Sequence, residues 1–343
     1  MKTSLRLSFC ILGAVIGAGF ATAKEISTFF ACYGHLGFFG VVISSLLLGI
    51  YIFLVMNKIS RQSIKTPFEY IKSISNTPFA YFSMTVTYFL MFSFYCIMIA
   101  GCGEILNEVF LVPKIYAALG VSVFCCIVFL YGNEAILNVS SVLTPVMIFG
   151  MIALSVLSIR EKEAFCIFKN SDNFITSSFL YVSYNTLGIL ALICEMSPYY
   201  KSEKTVVFAT SAITSFAGFS IMSLLWWMLY INPPIFMSYN MPALHIARKF
   251  GKTFEVFYVF VVFFAMITTA LSSGFALVMP SGKKKKKRNL CLMCIISSVM
   301  TLFGFSKLID SLYPFFGYLG MSVFVLVVFD FVRNTKKNVK KLR

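Results

Sequence analysis

The chain has 343 residues, of which 59% are hydrophobic and 12% are charged, and its mean hydropathy is +0.86. This composition excludes an ordinary soluble domain, in which about 25% of the residues carry a charge. The formal net charge of +16 requires no nucleic-acid partner, because basic residues beside membrane-spanning helices meet anionic lipid headgroups.

Apolar runs of about 20 residues, each long enough to cross the hydrocarbon core as a helix, recur from one end of the chain to the other. The first run is interpreted as a retained helix rather than a cleaved signal peptide, because so many further runs follow it. The pattern predicts an all-α membrane protein with about ten transmembrane helices. These predicted spans, numbered 1 to 10, cover residues 5–30, 36–57, 79–107, 114–131, 140–159, 174–195, 205–230, 254–280, 290–306 and 311–332.

Lysine and arginine are concentrated in every second connection between the spans. By the positive-inside rule, this asymmetry predicts a cell (inner) membrane protein with both termini in the cytoplasm. We expect the basic connections to contact anionic lipids on that side. They contain Lys2 and Arg6, Lys58 to Lys72, Lys201 and Lys204, the run Lys283 to Arg288, and the basic tail 333–343. A short surface helix is predicted between Ser60 and Pro78, and a structured external loop between Asn232 and Lys252.

The ten spans divide at the loop 160–173 into two sets of five. We therefore predict a first repeat at 1–160 and a second repeat at 161–343, within one integral membrane domain. Because each set has an odd number of spans, similar halves would have opposite orientations, as in the inverted repeats of many transporters. Spans 1 and 6, the first of each set, are expected to be broken near residues 13–20 and 184–188, with the breaks facing each other.

Span 1 contains three glycines within seven residues, at Gly13, Gly17 and Gly19. Each glycine lowers helix stability by about 1 kcal/mol relative to alanine. A break at this point would expose backbone carbonyls to cations and amides to anions, so Gly17, Ala18 and Gly19 are candidate substrate contacts. The alternative is that the glycines form a face for close helix packing.

Spans 6 and 8 carry polar side chains at mid-membrane positions. The candidate substrate contacts in span 6 are Ser183, Tyr184, Asn185, Thr186 and Gly188. Span 8 carries hydroxyl groups at Thr268, Thr269, Ser272 and Ser273, which are neutral oxygen ligands suited to a monovalent hard cation. The alternative is that these hydroxyls bond to carbonyls of their own helix. In span 3, one of Tyr88, Ser93 and Tyr95 is expected to face the site.

At these residues the chain resembles the LeuT-type amino acid–polyamine–cation superfamily and, within it, the YkvI-like membrane proteins, whose signature opens with a GAVIGAGFAT-like first span. The sequence from Gly13 to Thr22 is GAVIGAGFAT. The segment from Ala270 to Ala276 is similar to the one that supplies a hydroxyl pair to the superfamily's sodium site. The resemblance implies a sodium site formed by the hydroxyls of Ser272 and Ser273 and the carbonyls of Gly13, Ile16 and Thr269.

Further implications of the resemblance concern the substrate and the coupling ion. The segment from Thr186 to Gly188 is similar to the superfamily's unwound substrate-binding segment. Some members place a span 5 lysine where sodium would otherwise bind, whereas the stretch 140–159 contains no lysine. This difference favours sodium over that proton-coupling device.

Two of the carboxylates within predicted spans follow the weak points of spans 1 and 6: Glu25 lies six residues beyond Gly19, and Glu195 lies seven beyond Gly188. Burying an ionisable group in the membrane is costly unless it faces a cavity or a partner. Both are therefore candidate gating or proton-carrying groups, the alternative being that each lies near an interface and is solvated. The sequence shows no obvious charged residue at the midplane that would recognise the charge of a substrate.

These patterns predict a secondary active transporter of a small organic solute, an amino acid or a related zwitterion, coupled to sodium in preference to protons. The alternative is a solute receptor that keeps the transporter fold, as some germinant receptor subunits of the superfamily do. An enzyme is disfavoured, because the sequence has no HExxH, nucleophile elbow or phosphate-binding glycine loop. No cofactor is expected apart from the coupling ion. The substrate, the direction of transport and the oligomeric state stay open.

One cysteine motif, the CxxC formed by Cys291 and Cys294 in span 9, stands apart from these patterns. Without a second pair or a thioredoxin-like context, a metal or redox role is disfavoured. We interpret these cysteines as apolar residues of a helix.

Overall fold

The computed structural model describes residues 2–62, 64–159, 173–200, 203–232, 241–278, 283–303 and 305–341. Regular secondary structure in these ranges is helical throughout. The α-helices, numbered in chain order, are α1 Lys2–Val15, α2 Ala18–Ala21, α3 Lys24–Phe29, α4 Leu36–Gln62, α5 Pro67–Ile74, α6 Thr77–Phe110, α7 Lys114–Tyr131, α8 Asn133–Ser158, α9 Phe174–Glu195, α10 Lys204–Tyr230, α11 Pro242–Lys249, α12 Lys252–Val278, α13 Lys283–Met300 and α14 Phe305–Lys341.

Eight of the described helices contain a stretch long and apolar enough to cross a membrane. They correspond to predicted spans 2 to 8 and span 10. Span 9 corresponds to a shorter apolar helix, Arg288–Met300, and span 1 to the consecutive helices α1, α2 and α3. The protein is therefore a multi-pass helical membrane protein, as the apolar runs predict.

The helices form an inner and an outer set. In the most apolar stretch of α9, 83% of the residues are buried, against 33% in the corresponding stretch of α14. Helices α4 and α14 pack around α9, and helices α6 and α8 pack along α12. Helix α1 contacts α8, α10 and α12. The polar stretch of α9 consequently lies in the protein interior, away from lipid.

Span 1 is broken as predicted. Helix α1 ends at Val15, the amide of Gly17 donates to the Val15 carbonyl at 2.9 Å, and α2 begins at Ala18. A second interruption follows at Ala23, whose φ of 61° lies in the left-handed region. Residues 2–29 therefore follow three short helices instead of one.

Span 6 is not broken, and the predicted break at residues 184–188 is wrong. Helix α9 runs without interruption from Phe174 to Glu195. Its polar side chains bond to the preceding turn of their own helix: the Asn185 amide donates to the Tyr181 carbonyl at 3.0 Å and the Thr186 hydroxyl to the Ser183 carbonyl at 2.7 Å. A single glycine costs only about 1 kcal/mol in a helix, which the packing around α9 offsets.

The two predicted connecting structures are each partly within the described residues. The surface helix predicted between Ser60 and Pro78 is α5. It begins after Thr66, because the Thr66 hydroxyl accepts a hydrogen bond from the Glu69 amide and Pro67 takes the first helical position. The external loop predicted at 232–252 contains α11. Its residues 233–240 lie outside the described residues, as do residues 160–172 at the predicted boundary between repeats.

An ion pair joins α4 to α14 inside the bundle. The Lys58 ammonium lies 2.7 Å from the Asp330 carboxylate, with side chains that are 11% and 17% exposed, and 5.6 Å from the centre of the Tyr70 ring. Removing one partner from such a pair leaves an uncompensated charge, which is more costly than removing both.

We therefore expect Lys58→Met and Asp330→Asn each to lower the free energy of unfolding by roughly 2–3 kcal/mol, and the double variant to lose less than the sum. Thermal unfolding in detergent measures this. The control pair, Arg248 and Glu255, is more exposed, and its variants should change the stability by less than about 1 kcal/mol. Additive losses at Lys58 and Asp330 would contradict the prediction.

Candidate functional site

A small, partly enclosed cavity of about 20 Å³ lies where α1, α6, α9 and α12 meet. A cavity of about this volume holds one water molecule or a small ion. Its position beside the break of span 1 makes it the candidate site. The lining residues are Ala14, Met91, Phe94, Asn185, Gly188, Ile189, Thr269, Ser272 and Ser273.

The hydroxyls of Thr268, Ser272 and Ser273 in α12 bond to carbonyls of their own helix, as in the alternative interpretation of the sequence. The Ser272 and Ser273 hydroxyls donate to the Thr269 carbonyl at 3.0 Å and 2.6 Å. A hydroxyl that donates its proton keeps two acceptor lone pairs. Since both serines also line the cavity, their oxygen atoms remain available to a cation or to a donor group.

Helices α1 and α12 are joined at the cavity by one hydrogen bond. The Thr269 hydroxyl donates to the Gly13 carbonyl at 3.2 Å, a carbonyl near the C-terminal end of α1. A Cβ atom added at Gly13 would lie 2.7 Å from the Thr144 hydroxyl oxygen. A Cβ atom added at Gly17 would lie 3.3 Å from the Thr269 hydroxyl oxygen. The glycines of span 1 therefore serve close packing as well as the break.

The predicted cation ligands are only partly brought together. Thr269, Ser272 and Ser273 line the cavity, and the Gly13 carbonyl contacts Thr269. Ile16 is buried but does not line the cavity. Among the described residues, no group of three or more His, Cys, Asp and Glu side chains could hold a metal ion. The polar side chains that line the cavity, Asn185, Thr269, Ser272 and Ser273, are all neutral.

Glu25 is the charged residue that the structure brings to the break, although the sequence shows no obvious one there. It is only 4% exposed, and its carboxylate accepts a hydrogen bond from the Tyr184 hydroxyl of α9. The turn at Ala23 directs the Glu25 side chain back towards α2, where a Cβ atom added at Gly19 would collide with the Glu25 side chain. Glu25 thus links the broken span 1 to the buried span 6.

Three further aromatic rings lie around the Tyr184 end of this link. The Tyr184 ring is 5.9 Å from Phe29, 5.5 Å from Tyr181 and 6.4 Å from Phe94, measured between ring centres. Phe94 also lines the cavity. The aromatic cluster of Phe29, Phe94, Tyr181 and Tyr184 therefore connects the cavity, which Phe94 lines, to Tyr184, which donates to the Glu25 carboxylate.

Only some of the substrate contacts predicted in span 6 line the cavity. Asn185 and Gly188 line the cavity, and Tyr184 bonds to Glu25. Ser183 and Thr186 do not line it: α14 covers the Ser183 carbonyl at Gly320, and the Thr186 carbonyl accepts the hydroxyl of Tyr51. The Ser183 hydroxyl is buried and has no hydrogen-bond partner among the described residues.

The substrate contacts predicted in span 1 lie next to the cavity without lining it. Gly17 faces Thr269, Gly19 faces Glu25, and Ala18 is fully buried. The residue of span 1 that lines the cavity is Ala14, an apolar residue that neither a polar group nor a glycine pattern distinguishes in the sequence.

Span 3 contributes different residues from those predicted. The Tyr95 hydroxyl bonds to Ser122 at 2.6 Å, and the Ser93 hydroxyl bonds to the carbonyl of Phe89. The lining residues are Met91 and Phe94, which are three positions apart and therefore share a helix face. The spacing of Met91 and Phe94 can be read from the sequence. It does not distinguish these two residues, however, because the chain contains so many aromatic and methionine residues.

Glu195 is the last residue of α9. It follows Asn185 by ten positions, or roughly 15 Å along the helix axis at 1.5 Å per residue. The two predicted carboxylates therefore do not meet: Glu25 lies at the break of span 1, and Glu195 at one end of span 6.

No profile of a known protein family matches the chain. Two proteins of Bacillus subtilis (strain 168) are similar to it in sequence. The uncharacterized membrane protein YkvI is 23% identical over 331 residues, covering 92% of this chain and 93% of that protein. The uncharacterized protein YyaD is 23% identical over 338 residues, covering 95% and 96% of the two chains.

Solved structures with a similar fold include the following three. A Na⁺-coupled sialic acid symporter in a substrate-bound, outward-open state has a TM-score of 0.64 at 11% identity, covering 95% of this chain and 79% of that one. MhsT in complex with L-phenylalanine has a TM-score of 0.62 at 15% identity, covering 93% and 86%. A manganese transporter of Eremococcus coleocola has a TM-score of 0.58 at 13% identity, covering 94% and 76%. The fold is that of LeuT-type transporters.

Proposed function

We propose that this chain, which has a LeuT-type fold, is a secondary active transporter that moves a small organic solute across the membrane by alternating access. The observation that carries the proposal is the cavity beside the break of span 1, lined by Asn185, Ser272 and Ser273. Polar groups that converge in the interior of a membrane bundle mark a binding site, because they have no stabilising role towards lipid.

The substrate proposed is an amino acid or a related zwitterion. One protein of similar fold was solved with L-phenylalanine. The Glu25 carboxylate and the aromatic cluster offer a negative charge and ring faces for the ammonium end of such a solute, and Asn185 offers a neutral hydrogen-bonding group. The cavity of about 20 Å³ is far smaller than a solute-binding pocket of roughly 300 Å³ or more, so binding requires α9 to separate from α1 and α6.

The coupling ion proposed is sodium, bound by the Ser272 and Ser273 hydroxyls with the carbonyls of Gly13, Ile16 and Thr269. Two observations support it: the donor atoms at the cavity are neutral oxygens, which suit a monovalent cation, and a protein of similar fold is a Na⁺-coupled symporter. The Thr269 hydroxyl would have to release the Gly13 carbonyl on binding. The competing account is proton coupling through Glu25 or Glu195.

We propose that the protein lies in the cell membrane with both termini in the cytoplasm and with the basic connections against anionic lipids. Its support is the distribution of lysine and arginine between alternate connections. The inverted repeat divided at residue 160 is proposed on the same topology.

We expect proteoliposomes containing the protein to accumulate a labelled amino acid from a mixed pool, and to do so only with an inward sodium gradient. Asn185→Leu should lower the initial rate at least tenfold, which corresponds to about 1.4 kcal/mol. Asn232→Leu is the matched control, because Asn232 is buried and its amide also donates to the carbonyl four residues before it, at 3.0 Å. Solute binding without any uptake would instead support the alternative that the protein is a solute receptor.

A further inference from the structure

We infer that Cys126 and Cys294 form a redox-active thiol pair, which hydroperoxides oxidise to a disulfide linking spans 4 and 9. The two sulfur atoms lie 3.2 Å apart, Cys126 on α7 and Cys294 on α13. A disulfide bond is about 2.05 Å long, so the sulfur atoms need to approach each other by only about 1.2 Å. The structure thus pairs Cys294 across the helix interface and not with Cys291 of its own CxxC motif.

A polar layer one turn away fixes the register of the two helices. The Ser122 hydroxyl lies 3.2 Å from that of Ser297, and the Tyr95 hydroxyl lies 2.6 Å from Ser122. Ser122 precedes Cys126 by four residues and Ser297 follows Cys294 by three, so the serine and cysteine contacts stack along one interface. This arrangement holds the thiols opposite each other and limits the movement needed for the bond.

The pair lies where a small oxidant reaches it. Cys126 and Cys294 are half-buried, whereas Cys10, Cys102 and Cys125 are buried. Neighbouring side chains on both helices, Ile127 and Ile295, are 48% and 59% exposed. This edge of the bundle faces the lipid, so a membrane-soluble hydroperoxide has access to the two sulfur atoms.

The reaction balances without any group from the protein beyond the two thiols. One sulfur attacks the peroxide O–O bond, which gives a sulfenic acid and releases an alcohol, or water when the oxidant is hydrogen peroxide. The second sulfur then attacks the sulfenic acid, forms the S–S bond and releases water. Two thiols and one hydroperoxide therefore yield one disulfide, one alcohol and one water, and a dithiol reductant reverses the result.

Closing this bond constrains the unfolded chain, because residues 126 and 294 are 168 positions apart in sequence. It also fixes α13 against α7. Phe129 of α7 lies against Gly274 of α12, so one of the two linked helices borders the helix that carries Ser272 and Ser273. Oxidation is therefore expected to stabilise the bundle next to the candidate site.

The test uses the reduced, purified full-length protein, treated with cumene hydroperoxide and then with a maleimide that blocks the remaining thiols. We expect the intact mass to fall by two hydrogens, two thiols to escape labelling, and a proteolytic peptide to contain Cys126 joined to Cys294. The thermal midpoint should rise by about 5 °C or more, and dithiothreitol should restore the starting value.

Cysteine variants decide which thiols react. Cys126→Ser and Cys294→Ser should each abolish the bridge and the thermal shift, and Cys126→Ala and Cys294→Ala replace them if a serine variant does not fold. Cys291→Ser is the matched control on the same helix and should form the bridge normally. A bridge between Cys291 and Cys294, or no bridge in the wild-type protein, would overturn the inference. These measurements do not depend on transport.

Discussion

Replacing Gly19 by leucine will abolish solute binding while leaving the protein folded and inserted. A Cβ atom at this position would collide with the Glu25 side chain, so Glu25 would be displaced from Tyr184 and from the break of span 1. We expect the dissociation constant for the transported solute to rise at least 100-fold, which corresponds to about 2.7 kcal/mol. Isothermal titration calorimetry in detergent measures the change, and Gly17→Leu should have the same effect because Gly17 faces Thr269.

Two other glycines supply matched controls. Gly120 of α7 and Gly218 of α10 have no neighbouring atom within 4 Å of an added Cβ, so leucine at either position meets open space. Gly120→Leu and Gly218→Leu should bind the solute with wild-type affinity. If they lose binding as Gly19→Leu does, a general effect of leucine on the bundle explains the result and the break is not the binding site.

The double variant Ser272→Ala, Ser273→Ala will lose the effect of sodium on both stability and substrate affinity. A ligand that binds only the folded state stabilises it by about 2.7 kcal/mol at 100 times its dissociation constant. If sodium also favours the substrate-competent state, it raises substrate affinity by reciprocal linkage. We therefore expect wild-type protein, but not the double variant, to show a higher thermal midpoint and tighter substrate binding in sodium than in potassium.

The matched control for this variant is Ser155→Ala, Ser158→Ala in α8. These serines are also buried, and their hydroxyls also donate to carbonyls of their own helix, at 2.8 Å and 2.7 Å, but they do not line the cavity. The control should keep the response to sodium. A wild-type protein that ignores sodium, responds to pH and loses that response in Glu25→Gln or Glu195→Gln would be proton-coupled, and the sodium assignment would be wrong.

The locations of the spans along the chain follow from the sequence because the bilayer sets them, although some ends differ: α8 begins at Asn133 and predicted span 5 at residue 140. An apolar run must cover about 30 Å of hydrocarbon, and the connections must be polar. The predicted spans 114–131 and 174–195 coincide with α7 and α9. The break of span 1 was predictable for a similar reason, because three glycines within seven residues weaken any helix wherever it packs.

The continuity of α9 depended on the tertiary structure. Its polar residues and Gly188 indicate a weak helix when they are considered alone, but α9 is enclosed by α4, α6 and α14. Its side-chain donors at Asn185 and Thr186 find acceptors within the helix. Helix propensity is a local quantity, and packing on all sides overrides it.

The chemistry of the site was likewise divided between sequence and tertiary structure. Thr269, Ser272 and Ser273 were recognisable because one helical turn brings them to one face. The bond between Glu25 and Tyr184 joins residues 159 positions apart, and the contact between Cys126 and Cys294 joins residues 168 positions apart. The sequence determined the spans and the short-range clusters through the 3.6-residue period and the bilayer thickness. The tertiary structure decided which of these helices meet, because side-chain packing between distant segments has no local pattern.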